Sequence, residues 1–144
     1  MAQATREEIA ALYVGTYDRA ADSDGMDYWA NTGLSAEEIS VFFYKDQDEA
    51  QDLENMSNAQ FVTLAFNNSF GHDADPDGLA YWVGQLDDGL ERGTLVLWVQ
   101  NGAQDDVNPD KTTLDNRTAV SLDFADSGLN DMDNAKSIVA GVTE

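Results

Sequence analysis

The sequence has no cysteine, two prolines, one histidine and only seven Lys and Arg side chains in 144 residues. Without cysteine there is no disulfide framework, no thiolate metal site and no thiol nucleophile. A single histidine adds no zinc site to that, and His72, inside an acidic loop, reads as an exposed side chain. The scarcity of basic residues, set against 28 Asp and Glu, leaves a formal charge of −21. Nucleic acids and anionic membranes are recognised through Lys and Arg, so both are excluded as partners. No apolar run approaches the ~20 residues a spanning helix needs, so no membrane insertion is expected. The N-terminal residues show no basic-then-apolar leader. Export is therefore expected to use a signal outside this segment or a route without a cleaved leader.

A charge of this size repels itself. High ionic strength screens it and divalent cations bind carboxylates, so either setting relieves it; an acidic surface also simply keeps a protein soluble. What the chain does have is apolar mass. Apolar residues make up 42%, with three Trp, five Tyr and six Phe. That is enough for one hydrophobic core without staples, and residues 1–144 read as a single domain.

One stretch occurs twice. Tyr17-Asp18-Arg19-Ala20-Ala21-Asp22-Ser23-Asp24-Gly25-Met26-Asp27-Tyr28-Trp29 is echoed by Phe70-Gly71-His72-Asp73-Ala74-Asp75-Pro76-Asp77-Gly78-Leu79-Ala80-Tyr81-Trp82. Each copy reads as an acidic loop feeding a short helix that ends on Tyr-Trp. The similarity extends outward: Ile9, Leu12, Tyr13 and Tyr17 align with Val62, Ala65, Phe66 and Phe70. Ile39, Phe42 and Phe43 align with Leu95, Trp98 and Val99. Duplicated units stacked on one core are the expected result.

Capping boxes at Thr5-x-x-Glu8, Ser35-x-x-Glu38 and Ser57-x-x-Gln60, with apolar residues at helical spacing behind them, predict helices near 6–16, 36–45 and 58–69. Further helices are expected near 23–32, 76–87 and 91–102, with Gly33 and Gly89 as left-handed terminators. The charged segment 45–55 is a linker or a solvated helical extension, and 101–111 a loop. Thr112 or Thr113 is expected to cap a helix presenting Leu114, Thr118, Leu122, Ala125 and Leu129. Asn130 is expected to cap a last one with Met132, Ala135, Val139 and Val142. No segment alternates with period two. The fold class is all-α: duplicated three-helix units at 6–45 and 58–102, plus a C-terminal helical extension at 112–143, packed as one compact domain.

The repeated stretch resembles the bacterial domain-of-unknown-function 4214 family through Leu12, Tyr13, Arg19, Asp22, Gly25, Tyr28, Trp29 and Gly33. In the second copy the matching residues are Phe66, His72, Asp75, Gly78, Leu79, Tyr81, Trp82 and Gly89. His72 stands where that pattern has Arg, and Ala21 where it has Pro. The resemblance implies a helical module of large secreted or surface proteins, such as calcium-repeat proteins of one-step (type I) secretion, surface-layer proteins and adhesins. It implies no catalytic residues.

Asp73-x-Asp75-x-Asp77-Gly78 matches the first half of a helix–loop–helix calcium loop, but the twelfth position is Gly84 where a bidentate Glu belongs. The first copy offers Asp22 and Asp24. These five aspartates are the candidate Ca2+ ligands. The competing reading is capping: Asp75 before Pro76, and Asp22 before Ser23-Asp24, are helix N-cap signals. Trp29 and Trp82 read as core, with sugar stacking as the alternative. Tyr28 and Tyr81 are expected to be partly exposed, their hydroxyls on loop backbone. The function expected is a non-enzymatic binding or assembly module of a bacterial extracellular or cell-surface protein, with a protein or carbohydrate surface partner. A carbohydrate-binding or carbohydrate-active domain, and a structural linker like those of light-harvesting assemblies, are the alternatives.

Overall fold

The computed structural model describes residues 2–46, 49, 52–104 and 109–143. Within them lie the helices α1 (Arg6–Tyr17), α2 (Ser23–Ala30), α3 (Ala36–Lys45), α4 (Asn58–Phe70), α5 (Pro76–Asp87), α6 (Leu95–Gln104), α7 (Pro109–Asp126) and α8 (Met132–Val139). Two 3-10 turns, Leu53–Asn55 and Arg92–Thr94, complete them. Among the described residues there is no strand, so the fold is all-α.

Local chemistry sets most helix starts. Thr5, Ser35 and Ser57 each accept from the backbone N–H three residues on, and Glu8, Glu38 and Gln60 reach back to the cap. Each such box satisfies two backbone donors that the helix leaves open. Asp22 and Asp75 cap α2 and α5 by accepting from Gly25 and Gly78.

Helix α1 lies at the centre, against α2, α3, α4, α6 and α7; α4 packs in turn on α5, α6 and α7. Their contact is filled by Ile9, Leu12, Met26, Ile39, Phe43, Phe61, Val62, Leu95 and Leu114, all buried. A second, smaller cluster joins Val14, Ala20 and Phe124 to Ala135 and Val139 of α8. Each large apolar side chain fully buried contributes about 1.5–3 kcal/mol.

Polar side chains tie the helices where they approach closely. Ser121 Oγ donates to the Ala10 carbonyl at 3.1 Å and accepts from Ala21 N at 2.9 Å. Ser40 Oγ donates to the Gly93 carbonyl at 2.6 Å. Arg92 donates to the Tyr44 hydroxyl, to Asn58 Oδ1 and to the Leu53 and Met56 carbonyls, and lies over the Phe61 ring. Arg117, on the buried face of α7, donates to the carbonyls of Asn68, Asn67 and Val142. It thereby caps the C-terminus of α4 and fastens the chain end.

Several expectations are corrected. Helix α7 begins at Pro109, not at a Thr112 or Thr113 cap, and α6 continues to Gln104, so it holds Asn101 and Gly102 as the helix expected over 91–102 does and takes the first residues of the loop expected over 101–111. Helix α8 is capped by Asp131; Asn130 instead accepts from Asp24 N at 2.9 Å. Arg92–Thr94 form a 3-10 entry, with Glu91 extended before it, and not a turn of α6. In the charged segment Leu53 is buried in its 3-10 turn; residues 47, 48, 50 and 51, within the proposed linker, and 105–108, within the proposed loop, lie outside the described residues. Phe42 is 53% exposed and Met132 also faces solvent, because the helices they belong to find partners on only one face; Leu129, expected on the stripe of the 112–143 extension, lies beyond the end of α7 and is exposed too.

Candidate functional site

The two acidic turns begin alike. Helix α1 ends on Asp18 at φ 55° and α4 on Gly71 at φ 81°, both left-handed, and four residues later Asp22 and Asp75 cap the next helix. They part at the residue between. In the first turn Arg19 folds back over Tyr13, 4.7 Å from its ring centre. It donates to Glu49 Oε1 at 2.6 Å, to the Ala20 carbonyl at 2.9 Å and to Asp22 Oδ1 at 3.1 Å. The C-terminal helices cover this turn: Ala20 N donates to the Ala135 carbonyl and Ser23 N to the Leu129 carbonyl. The first turn is closed.

In the second turn His72 takes the place of Arg19. Its ring stacks against Phe70 at 6.3 Å, and its nitrogens meet the Asp73 carbonyl at 2.6 Å and Asp110 Oδ1 at 2.5 Å. Both partners are acceptors, so both nitrogens donate, the pattern of an imidazolium. The Asp110 hydrogen bond is the main reason its pKa is raised above 6.5. The imidazole is shorter than a guanidinium. A cleft of about 380 Å3 remains, bounded by Phe66, Phe70, Asp73, Asp75, Trp82 and Asp110.

The candidate calcium ligands divide accordingly. Asp73 and Asp75 share this cleft; one oxygen of Asp73 accepts from Asn67 Nδ2 at 2.6 Å and one of Asp75 from Gly78 N at 2.7 Å. Asp77 is exposed in the first turn of α5, where its charge suits the helix dipole. Asp22 is engaged through both oxygens, by Arg19 and by Gly25 N. Asp24 is exposed in the first turn of α2. Among the described residues no three His, Cys, Asp or Glu side chains are grouped to hold a metal.

Trp29 and Trp82 are half-buried and pack on the core. Tyr28 and Tyr81 are 63% and 57% exposed, and among the described residues their hydroxyls reach no hydrogen-bond partner, contrary to expectation. Each tyrosine stands perpendicular to its neighbouring indole at 5.0 Å.

On the far side of Trp82 lies a second groove, of about 440 Å3. It is lined by Tyr81, Trp82, Gln85, Leu90, Trp98, Asn101 and Gly102. Trp82 therefore separates two clefts. The Trp82 indole lies against α6 beside Gly102, where a Cβ would sit in ordinary van der Waals contact, 3.6 Å from its Cζ2. Trp98 is half-buried, like Trp82, but lies outside the core cluster. Sequence reasoning missed this groove. The available signal was Trp98-x-x-Asn101, whose spacing puts an indole and an amide on one helix face.

The fold and these clefts define a helical module with a paired aromatic surface. The family model of a domain of unknown function (DUF4214) matches residues 42–102, which shows the resemblance across the second copy, both clefts' aromatic residues and the end of α3. No curated protein and no solved structure matches the chain.

Proposed function

We propose that the chain is a non-enzymatic binding module of a bacterial extracellular or cell-surface protein, of the adhesin, surface-layer or calcium-repeat kind. The observation that carries this reading is the convergence of aromatic rings and hydrogen-bonding groups on both sides of Trp82. Both clefts fall in the range of about 300–1,000 Å3 usual for ligand sites. The acidic surface supports a saline or cation-rich setting. The test is co-sedimentation of the purified chain with bacterial cell envelopes. Saturable binding that falls when Trp98 is replaced by Ala is expected. Absence of binding would overturn the reading, and so would release of reducing sugar from the envelopes, which would make the module an enzyme.

Calcium is a second reading, favoured by one observation: Asp73 and Asp75 line the same cleft, and the second oxygen of each accepts no hydrogen bond among the described residues. At about 5 mM Ca2+, within reach of the weak sites of extracellular modules, the melting temperature should rise more than in NaCl of equal ionic strength. The double variant Asp73→Asn/Asp75→Asn keeps the helix cap, since Asn caps as well as Asp. It should lose that excess, measured against its own melt in NaCl, since two fewer charges also relieve some self-repulsion. An equal rise in both salts would discard the calcium part alone.

A further inference from the structure

The geometry points to the groove between α5 and α6 as a site for a neutral oligosaccharide, with Trp98 and Trp82 as the stacking surfaces and Gln85 and Asn101 as the hydroxyl-binding groups. This rests on the binding-module reading and names its ligand class.

Three observations combine. First, charge: the chain carries −21, yet none of the seven residues lining this groove is ionisable as a carboxylate or a base. On so acidic a molecule a neutral surface groove recognises something other than a cation. The field around it also repels anions.

Second, unmet hydrogen bonding: the side-chain amides of Gln85 and Asn101 have no partner among the described residues. This is unlike Gln100, the residue next to Asn101, whose amide is consumed by the Ala11 carbonyl and Ser69. Each free amide offers a donor and an acceptor side by side. Vicinal sugar hydroxyls present the same two functions at the same spacing. A proline-rich peptide, the other familiar occupant of Trp- and Tyr-lined grooves, presents carbonyls without N–H groups and would leave the amide oxygens unpaired.

Third, the rings: Tyr81 and Trp82 meet at 85°, and Trp98 closes the opposite side of the groove. Flat faces presented at an angle match the apolar C–H faces of linked pyranose rings, which change direction at each glycosidic bond.

The first copy supplies an internal control. Tyr28, Trp29 and Phe42 stand at the positions of Tyr81, Trp82 and Trp98, but Gln85 is replaced by Thr32 and Asn101 by Lys45. The Thr32 hydroxyl already donates to the Trp29 carbonyl at 2.7 Å. That copy has rings without free amides.

The test uses the whole chain titrated with neutral tetrasaccharides of β-linked glucose, β-linked N-acetylglucosamine and α-linked glucose, read by tryptophan fluorescence and by the indole N–H resonances. Saturable binding of at least one is expected, in the roughly millimolar range or tighter. Trp98→Ala should weaken it by roughly tenfold or more, and Gln85→Ala/Asn101→Ala by several-fold. Phe42→Ala should leave it unchanged. Because Trp98 is outside the core, a matched far-ultraviolet spectrum and melt will show that its variant folds. No saturable response to any of the sugars would overturn the inference. So would a response indifferent to Trp98→Ala, or one produced by a proline-rich peptide and not by sugars. If envelope binding persists in any of those cases, the module reading stands and only the ligand class falls.

Discussion

Gln100 of α6 packs directly on Gly15 of α1. Its side-chain nitrogen occupies the space a Cβ at position 15 would take, with Val96 and Ser69 beside it. That nitrogen donates to the Ala11 carbonyl at 2.9 Å and to Ser69 Oγ at 3.0 Å. Gly15 is therefore the point at which α1, α4 and α6 can approach. Gly15→Ala should destabilise the fold by about 1–3 kcal/mol, the cost of overpacking, even though Ala favours a helix by up to ~1 kcal/mol over Gly. Urea denaturation measures it; a stabilised variant would refute the close approach.

Arg117 serves as the tie between α4 and the chain end. Arg117→Met keeps the stem and removes the donors to Asn67, Asn68 and Val142. Burial already lowers the pKa of this guanidinium, so part of the loss is returned as relieved desolvation. The net cost should be about 1–3 kcal/mol. Hydrogen exchange should show α8 protected less than in the parent, while α3 and α5 are unaffected.

Asp18 occupies a left-handed position with a side chain, where the second copy has Gly71. Its carboxyl is also pushed above its ordinary pKa by burial, partly offset by Arg117. A raised acid pKa in the folded state means the ionised form is disfavoured there, so this residue costs stability above its ordinary value of 3.8. Asp18 is exposed, so solvent screening leaves the electrostatic part small; Asp18→Gly mainly relieves the left-handed backbone and should stabilise the protein by roughly 1 kcal/mol at neutral pH. A thermal melt decides it.

The His72–Asp110 pair should make stability depend on pH in a defined direction. The folded-state pKa of His72 is raised, first by the Asp110 hydrogen bond and then by the Asp73 carbonyl. Its contribution is thus fully present below the ordinary histidine value of 6.5 and fades as pH rises through the raised value. The side chain is 51% exposed, so solvent screening limits the effect to roughly 0.2–1 kcal/mol. His72→Gln should therefore be less stable than the parent at about pH 5.5 and nearly equal to it at about pH 9. Equal differences at both values would show that the ring acts by packing alone.

Net charge sets the last expectation. Added NaCl should raise the melting temperature steadily between about 0.01 M and about 1 M, as the Debye length falls from ~30 to ~3 Å. A melt indifferent to salt would mean that the carboxylates do not strain the fold.

Much of the site could be read without coordinates, but unevenly. Asp22 and Asp75 as helix caps, and Tyr28 and Tyr81 as exposed rings, followed from residue type and spacing. Asp110 beneath His72 did not, since the two are 38 positions apart and nothing in either local sequence refers to the other. The groove beside Trp98 did not either, because apolar residues at helical spacing indicate a buried face only when another element covers it.

What the sequence by itself determined are the helix starts and turns: the boxes at Thr5, Ser35 and Ser57, Pro76 behind Asp75, and the left-handed Gly33 and Gly89. Each is decided by atoms within about four residues, where chain connectivity supplies the proximity. Tertiary structure alone decided which faces are covered, and it did so through contacts between distant segments. It buried Arg117 and Ser121, left Phe42 at the surface and Trp98 half-buried beside a groove, closed the first acidic turn under α7 and α8, and kept the second open beside Trp82.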